Sequence, residues 1–245
     1  MGGRRKPTLA AFIAAACMIG AVNAAHAQQP IGSTTLTQNQ VTRELGGASG
    51  VLSVGDSVFL NEAVRTGPDS LAKLVFVDST NLAVGPTSRV VLDRFVFEGN
   101  PSGEKVAVNL AKGLFRFTTG SLDKKAYTIT TPTAAIGVRG TVLDIDVNGL
   151  ATRVTLVEGH ALVCPRRRGV SFDQQVQACV TGRHCDCAVI QNPGETELVK
   201  KVHGANEASL ASTPVNFASL CSGDASLCSS SSYAYAGFGG ALCGR

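Results

Sequence analysis

The stretch Thr133-Ala134-Ala135-Ile136-Gly137-Val138-Arg139-Gly140-Thr141 sets two glycines and an arginine inside a strand-like apolar run. Glycine adopts backbone angles that other residues avoid, so this pattern predicts a tight turn or bend within a sheet. One interpretation has Arg139 offering its planar donor fork to a carboxylate or phosphate ligand. We favour a structural motif of Gly137, Arg139, Gly140 and Thr141, in which the arginine satisfies carbonyls or an internal acid such as Asp144, Asp146 or Glu158.

Short strands are predicted on both sides of this stretch. Residues 71–77 alternate, so that Ala72, Leu74 and Phe76 share one face while Lys73 points the other way. Two or three strands precede them in residues 31–60, and further strand candidates follow to residue 163, separated by Gly, Asn, Asp and Pro turns. Nothing between residues 31 and 163 has a helical period. The sequence predicts an all-β fold.

Two turns are near copies of each other. Gly-Pro-Asp-Ser begins at residue 67 and Gly-Pro-Thr-Ser begins at residue 85, 18 residues later, and each precedes an apolar strand. That spacing suits one coil of a β-solenoid-like stack of short strands. A sandwich with repeated β-arches is the alternative architecture.

The N-terminal segment has a pattern that is typical of an export signal. A basic segment with Arg4, Arg5 and Lys6 precedes an apolar run and a small-residue cleavage site, so residues 1–27 are predicted to be a signal peptide. Twin-arginine export and lipid attachment at Cys17 are the alternatives. The mature protein is then expected to be periplasmic or secreted.

Composition narrows the class further. The chain has 245 residues with no Trp, 27 Gly and 16% charged residues, which is unlike a helical bundle. Without the signal peptide, 19 basic residues face 18 acidic ones, a net charge of about +1. A general nucleic-acid-binding surface is therefore not expected. No later apolar segment is long enough for a transmembrane helix.

The central region resembles the FecR domain, a periplasmic module named after the ferric-citrate uptake regulator. The resemblance rests on motifs in matching order over about residues 50–163. These motifs are Val54-Gly55-Asp56, Val64-Arg65-Thr66-Gly67-Pro68-Asp69-Ser70, the strand through Phe76, Val84-Gly85-Pro86-Thr87-Ser88-Arg89, Leu110-Ala111-Lys112-Gly113, Thr130-Thr131-Pro132-Thr133, Gly137-Val138-Arg139-Gly140-Thr141 and Val157-Glu158-Gly159. The resemblance implies a β-solenoid-like, extracytoplasmic domain for binding and signalling without catalysis.

The sequence departs from the regulator itself. It shows no anti-sigma segment, no membrane helix before the FecR-like part and no secretin/TonB-type short domain after it. We therefore expect a freestanding exported protein with an N-terminal strand and linker (residues 28–50), a FecR-like β domain (51–163), a Cys-rich insertion with a closing hairpin (164–204) and a Ser/Ala/Gly-rich tail (205–245).

The insertion carries Cys164, Cys179, Cys185 and Cys187. In an oxidising compartment these residues are expected to form disulfides, and four cysteines allow three connectivities. We prefer Cys164 with Cys187 and Cys179 with Cys185, because the first bond would clip two strand ends together at the base of the insertion. A zinc site that includes His184 is the alternative, although the one-residue spacer between Cys185 and Cys187 is unusual for zinc.

Arg166, Arg167 and Arg168 in the same insertion are candidate contacts for an anionic partner. A solvated loop tip is the plainer interpretation, because three charges are few for an interaction tract. Asp144 and Asp146 lie two residues apart on one strand face, which we interpret as solvated; paired carboxylates for acid–base chemistry or cation binding are the alternative. No nucleophile setting accompanies His160, His184 or His203, so we expect neither an enzyme nor a cofactor.

The remaining cysteines lie in the tail. A hairpin of residues 188–190 and 197–199 is expected before it, and Thr213-Pro214 is a predicted helix start. Cys221 and Cys228 are a candidate local disulfide, which leaves Cys243 for an intermolecular bond. The sequence therefore predicts a module that binds an unknown protein or envelope polymer. The alternative is a structural envelope or matrix component that forms a homo-oligomer through its sheet edges or Cys243.

Overall fold

The computed structural model describes residues 2, 28–96, 105–121, 127–182, 185–202, 205–210, 215, 217 and 220. These residues form fifteen strands and one longer helix. The elements are β1 (Pro30–Gln38), β2 (Val41–Leu45), β3 (Ala48–Val51), β4 (Ser57–Phe59), β5 (Ala63–Thr66), β6 (Leu71–Phe76), β7 (Asn81–Val84), β8 (Arg89–Val96), β9 (Lys105–Thr118), β10 (Tyr127–Thr130), β11 (Ala134–Val147), β12 (Ala151–Pro165), α1 (Phe172–Val180), β13 (Ala188–Ile190), β14 (Thr196–Val202) and β15 (Ala205–Leu210).

The strands form one open sheet with two parts, which we call the first and the second ladder. The three long strands β9, β11 and β12 belong to both parts. Their halves pair with different neighbours: the first half of β9 pairs with β8 and β10, whereas residues 113–118 pair with β7 and β11. The first ladder runs β4-β1-β6-β7-β9-β11-β12-β14-β15. The second runs β3-β2-β5-β8-β9-β10-β11-β12-β13, and only the pairing of β9 with β10 is parallel.

Glycines stand where the long strands pass from one ladder to the other. Gly113, Gly140 and Gly159 have φ angles of 110°, 58° and 88°, which L side chains rarely adopt. A Cβ atom on Gly159 would lie 2.0 Å from the carbonyl oxygen of Gly140. The pairing of β11 with β12 is irregular at the same place, between Arg139 and Leu143. Both strands therefore bend together at the central motif.

One apolar core is shared by the two ladders. The first ladder contributes Phe115, Phe117, Leu143, Ile145 and Val154, and the second contributes Val64, Val90, Val108, Ile129, Ile136 and Val163. All of them are almost fully buried, and each side chain of this size stabilises the fold by about 1.5–3 kcal/mol when removed from water. The described part of the chain is mostly β, with the one helix α1, so the β class of the prediction is confirmed. The sheet is open, and the solenoid-like stacking stays a prediction.

The two copied turns have the same local structure. Asp69 and Thr87 both have φ near 52°, and Ser70 and Ser88 each donate a hydrogen bond to the carbonyl of the proline two residues earlier. The turns also stack, because the N–H of Thr87 donates to the carbonyl of Gly67 over 2.9 Å. The repeat in the sequence therefore marks two arches stacked on each other.

The predicted strand over residues 71–77 is present as β6. Ala72, Leu74 and Phe76 are buried in the core, as expected. Lys73 points to the opposite face but is only 5% exposed, so both faces of this strand are covered. Residues 28–50, expected as a strand and linker, contribute β1, β2 and most of β3 to the same sheet.

The predicted hairpin of residues 188–190 and 197–199 is not formed. Both β13 and β14 pair with β12, on its second and first halves respectively, and β14 forms its hairpin with β15 instead. Because β12 bends at Gly159, its two halves offer separate edges to these two strands.

Several predictions fall outside the described residues. These are the signal peptide, Cys17, His184, His203, the helix start at Thr213-Pro214, and Cys221, Cys228 and Cys243. Within the part of the chain that the structure describes, no helix has the length and apolar character to cross a membrane.

Candidate functional site

The central motif is held by Thr141. Its Oγ1 accepts a hydrogen bond from the N–H of Arg139 at 2.9 Å and donates one to the carbonyl of His160 at 2.6 Å. Its own N–H donates to Oγ1 of Thr119 at 2.9 Å. These bonds satisfy backbone groups that the bend at Gly140 takes out of the ladder.

The Arg139 side chain does not have the predicted role. It is exposed, and it makes no hydrogen bond or ion pair with any described residue, whereas Asp144 and Asp146 pair with Arg116 and Arg153. Gly137 has a packing role, because a Cβ atom there would lie 2.6 Å from the ring of Phe172 at the start of α1. In the motif, Gly137 leaves room for the start of α1 and Gly140 lies at the strand bend. Thr141 supplies the polar contacts.

A buried polar row crosses the outer face of the first ladder. The row runs across neighbouring strands from β6 to β14, and each of its residues is at most 5% exposed. Its polar members are Lys73, Arg116, Asp144, Thr155 and Thr196, and the apolar Ala83 lies between Lys73 and Arg116. The interpretation of Asp144 as a solvated carboxylate is wrong. Asp146 is partly exposed and lies 3.6 Å from the guanidinium of Arg153.

Arg116 and Asp144 form a two-pronged ion pair in the middle of this row. Nε and Nη2 of Arg116 donate to the two carboxylate oxygens over 2.7 and 2.8 Å. Such a parallel arrangement is among the stronger hydrogen-bonded pairs in proteins. Removing water from both charges is costly, so the pair contributes little stability by itself, but losing either partner leaves a buried charge uncompensated.

Three C-terminal residues cover the row, and we call them the C-terminal anchor: Val215, Phe217 and Leu220. The N–H of Val215 donates to Oγ1 of Thr155 at 2.7 Å, and the N–H of Phe217 donates to Asp144 at 3.1 Å. The guanidinium of Arg116 lies 5.5 Å from the centre of the Phe217 ring.

Phe217 is fully buried, and it forms a second small apolar cluster with its neighbours on the sheet: Leu71, Ala83, Leu36, Leu114 and Leu220. The C-terminal anchor therefore explains why this face of the sheet is not solvated.

A basic groove lies at another part of the surface, next to α1. Its volume is about 1060 Å³. Its charged lining residues are Arg166, Arg167, Arg168 and Lys201, and its apolar lining includes Leu150 and Val170. The three arginines that the sequence singles out are thus brought together with a lysine from β14.

The geometry of the groove comes from four chain segments. The N–H of Arg166 donates to the carbonyl of Thr133 at 2.7 Å, and the N–H of Lys201 donates to the carbonyl of Leu150 at 2.9 Å. Ser171 caps α1 through a reciprocal capping box with Gln174. These contacts fix the loop between β12 and α1 against the turns of the two ladders.

Two disulfides fasten the insertion: Cys164 with Cys187, and Cys179 with Cys185. These are the pairs preferred from the sequence. The sulfurs of Cys179, Cys185 and Cys187 lie within 4.8 Å of one another. Zinc needs thiolates, and each of these sulfurs is already in a disulfide, so the residues in this state do not fit the zinc alternative.

Among the described residues, three carboxyl groups have shifted pKa values: Glu62 in one part of the sheet, and Glu195 and Glu197 near each other in another. Burial raises the pKa of Glu62, against the opposing effect of hydrogen bonds from the N–H of Phe59 and from Arg43. Burial also raises the pKa of Glu197, and nearby Glu195 adds to that rise. Hydrogen bonds from backbone N–H groups lower the pKa of Glu195 itself. Glu62 accepts the N–H of Phe59, and Glu195 accepts the N–H groups of Gln191 and Asn192, so these two carboxylates hold turns.

Sequence reasoning missed α1 and Lys201. The signal for the helix was present in Ser171-Phe172-Asp173-Gln174, a capping-box pattern at a helix start. The signal for Lys201 was weaker, since only the pair Lys200-Lys201 at a strand end stood out. Leu150 and Val170 gave no signal, because a single exposed apolar residue is ordinary on protein surfaces.

Comparisons with known proteins agree with the motifs. The model of the family described as FecR protein matches residues 62–162. No significant match was found among curated proteins.

Two crystal structures of a protein titled "putative anti-sigma factor" from Parabacteroides distasonis ATCC 8503 are similar to this chain at a TM-score of 0.45, with 10% and 12% identity. The similarity covers 65% and 64% of this chain. It spans 63% and 64% of those chains, less than two thirds of their length.

The family match contains both stacked turns, the central motif and all three glycine bends of the long strands. It ends before the disulfide-bonded insertion and before the arginines and lysine of the basic groove. The chain therefore carries a FecR domain in residues 62–162.

Proposed function

We propose that the chain is an exported, non-catalytic module that binds a protein or an envelope polymer, in the periplasm or outside the cell. The observation that carries this proposal is the basic groove, where the insertion that follows the FecR match gathers four positive side chains. A protein with a net charge of about +1 after signal cleavage gains a binding surface mainly by such local clustering.

The covalent structure supports an exported protein. Two disulfides fasten the insertion on which the groove depends, and disulfides persist in oxidising compartments.

The described polar clusters support a binding role over a catalytic one. His160 is exposed, and it contacts Thr141 through its backbone. The buried Arg116–Asp144 pair is covered by the C-terminal anchor, so substrate does not reach it in this state. The match of residues 62–162 to the FecR family supports a role for this binding in signalling.

The direct test is capture of a partner by the mature protein. Mature protein immobilised through a C-terminal tag is incubated with envelope extract, and retained proteins and polymers are identified after washing. Saturable retention of one component, competed by free mature protein, supports the proposal. Hydrolytic activity that copurifies with the protein through several steps would contradict the non-catalytic assignment.

Self-assembly is the second candidate, and the open sheet favours it. Strand β3 lies at one end of the second ladder, all four of its residues are exposed, and Val51 is 73% exposed. Exposed edge strands are templates for pairing with another chain. Size-exclusion chromatography with and without reductant separates edge pairing from a bond through Cys243. A monomer under both conditions would reject this candidate.

A further inference from the structure

The charge in the basic groove is only partly compensated. Arg167 forms an ion pair with Asp186, and Nη1 of Arg166 donates to the carbonyl of Thr131 at 3.3 Å. Arg168 and Lys201 are exposed, and neither forms an ion pair or side-chain hydrogen bond with a described residue. No acidic residue is among the residues that line the groove. The charged side chains of Arg168 and Lys201 are therefore available to an anionic ligand.

The groove also offers apolar surface beside these charges. Leu150 is 68% exposed and Val170 is 40% exposed, and both line the same concavity as Arg168 and Lys201. Its volume of about 1060 Å³ is slightly larger than the usual range for ligand sites, about 300–1000 Å³. A single small anion would leave most of this space and both apolar side chains unused.

We propose that this groove binds an acidic peptide segment of a partner protein, with carboxylates at Arg168 and Lys201 and an apolar side chain against Leu150 and Val170. This inference rests on the proposed binding function and names the class of partner. Arginine clusters recognise acidic motifs through paired hydrogen bonds to carboxylates, and the neighbouring apolar contacts select among acidic sequences.

The lining favours a peptide over two other polyanions. None of the lining residues is aromatic, so the groove lacks the flat rings on which sugar rings commonly pack. A membrane surface would meet basic and apolar side chains most easily on a convex face, whereas these side chains line a concave one. A peptide side chain, in contrast, can enter the concavity and bring its carboxylate neighbours to the rim.

The test uses full mature protein with its disulfides intact and a fluorescein-labelled synthetic peptide that alternates Glu and Leu. Anisotropy is expected to show saturable binding that weakens as salt rises, because exposed charges are screened. The double variant Arg168→Ala/Lys201→Ala is expected to bind at least tenfold more weakly. The matched control Lys112→Ala/Arg139→Ala removes the same charge from exposed sites outside the groove, and it is expected to bind like the unmodified protein.

Further probes separate the ligand classes. Replacing every Glu of the peptide by Gln is expected to abolish binding, and Leu150→Ser/Val170→Ser is expected to weaken the Glu–Leu peptide more than an all-Glu peptide. Equal loss in both double charge variants, no measurable binding of the Glu–Leu peptide, or tighter binding of heparin or of anionic phospholipid vesicles would overturn the proposal. An envelope partner captured equally by Arg168→Ala/Lys201→Ala and unmodified protein would leave the binding function standing and reject this groove as its site.

Discussion

The Arg116–Asp144 pair makes a quantitative prediction about coupling in the buried polar row. Asp144 is 2% exposed, and it accepts two hydrogen bonds from Arg116 and one from the N–H of Phe217. Asp144→Leu removes the carboxylate that compensates the buried guanidinium of Arg116, which costs about 3–5 kcal/mol. The unpaired N–H of Phe217 adds about 1–3 kcal/mol. The single variant should therefore lose about 4–8 kcal/mol, a large part of a typical domain stability of about 5–15 kcal/mol.

Removing both charges should cost less than removing one. In Arg116→Met/Asp144→Leu neither charge of the pair remains, and two apolar side chains of similar size lie under the Phe217 ring. Replacement of a whole buried pair by apolar residues is often neutral or stabilising. We expect the double variant to be more stable than either single variant, with a coupling free energy of about 2 kcal/mol or more.

Urea unfolding of the mature protein with intact disulfides measures this coupling. Far-ultraviolet circular dichroism is the suitable signal, because the chain has no Trp. Where a single variant does not fold, the stability of the double variant alone still tests the prediction. Losses that add up across the two single variants, or a double variant less stable than both, would refute the argument for a buried, coupled pair.

Three further predictions test other parts of the structure by thermal or chemical unfolding. Gly159→Ala should lower the free energy of unfolding by more than about 2 kcal/mol through its strained φ and its clash, whereas Gly149→Ala, with similar φ but open space, should cost about 1 kcal/mol; equal losses would contradict this. Glu197→Gln should be more stable than the unmodified protein at neutral pH. The raised pKa means that stability present below the unfolded-state pKa is lost as pH rises through the folded-state value, so the difference should vanish below about pH 4; a difference unchanged at that pH would contradict the burial argument. Mass spectrometry of unreduced peptides should find the Cys179–Cys185 link, and four free thiols in the insertion would exclude it.

Local patterns in the sequence predicted strands and turns correctly. Alternation over residues 71–77 and the copied turns at 67 and 85 depend on neighbours close in the chain, and both have clear structural counterparts in β6 and the stacked arches. The architecture was harder to predict, because a strand that bends at Gly140 and serves two ladders has the same local signature as two strands joined by a turn.

The interpretation of Asp144 as solvated was wrong because a residue distant in sequence covers it. Alternation placed its side chain on the outer face correctly, but a face is solvated only if nothing covers it. The covering N–H comes from Phe217, 73 residues later, in a segment with no strong pattern of its own. The basic groove could be predicted only in part, for the same reason. The three arginines are contiguous in sequence, whereas Lys201 and Leu150 are distant in sequence and meet through a backbone hydrogen bond.

The bent strands also have a consequence for how the domain folds and is divided. Each of β9, β11 and β12 belongs to both ladders, so neither ladder has a complete set of hydrogen-bond partners when the other is absent. Hydrogen exchange should therefore show the two halves of β11 opening together rather than as separate units. A circular permutation or split placed inside a bend would break both ladders at once, whereas the short turns between neighbouring strands are the joints at which the chain tolerates being opened.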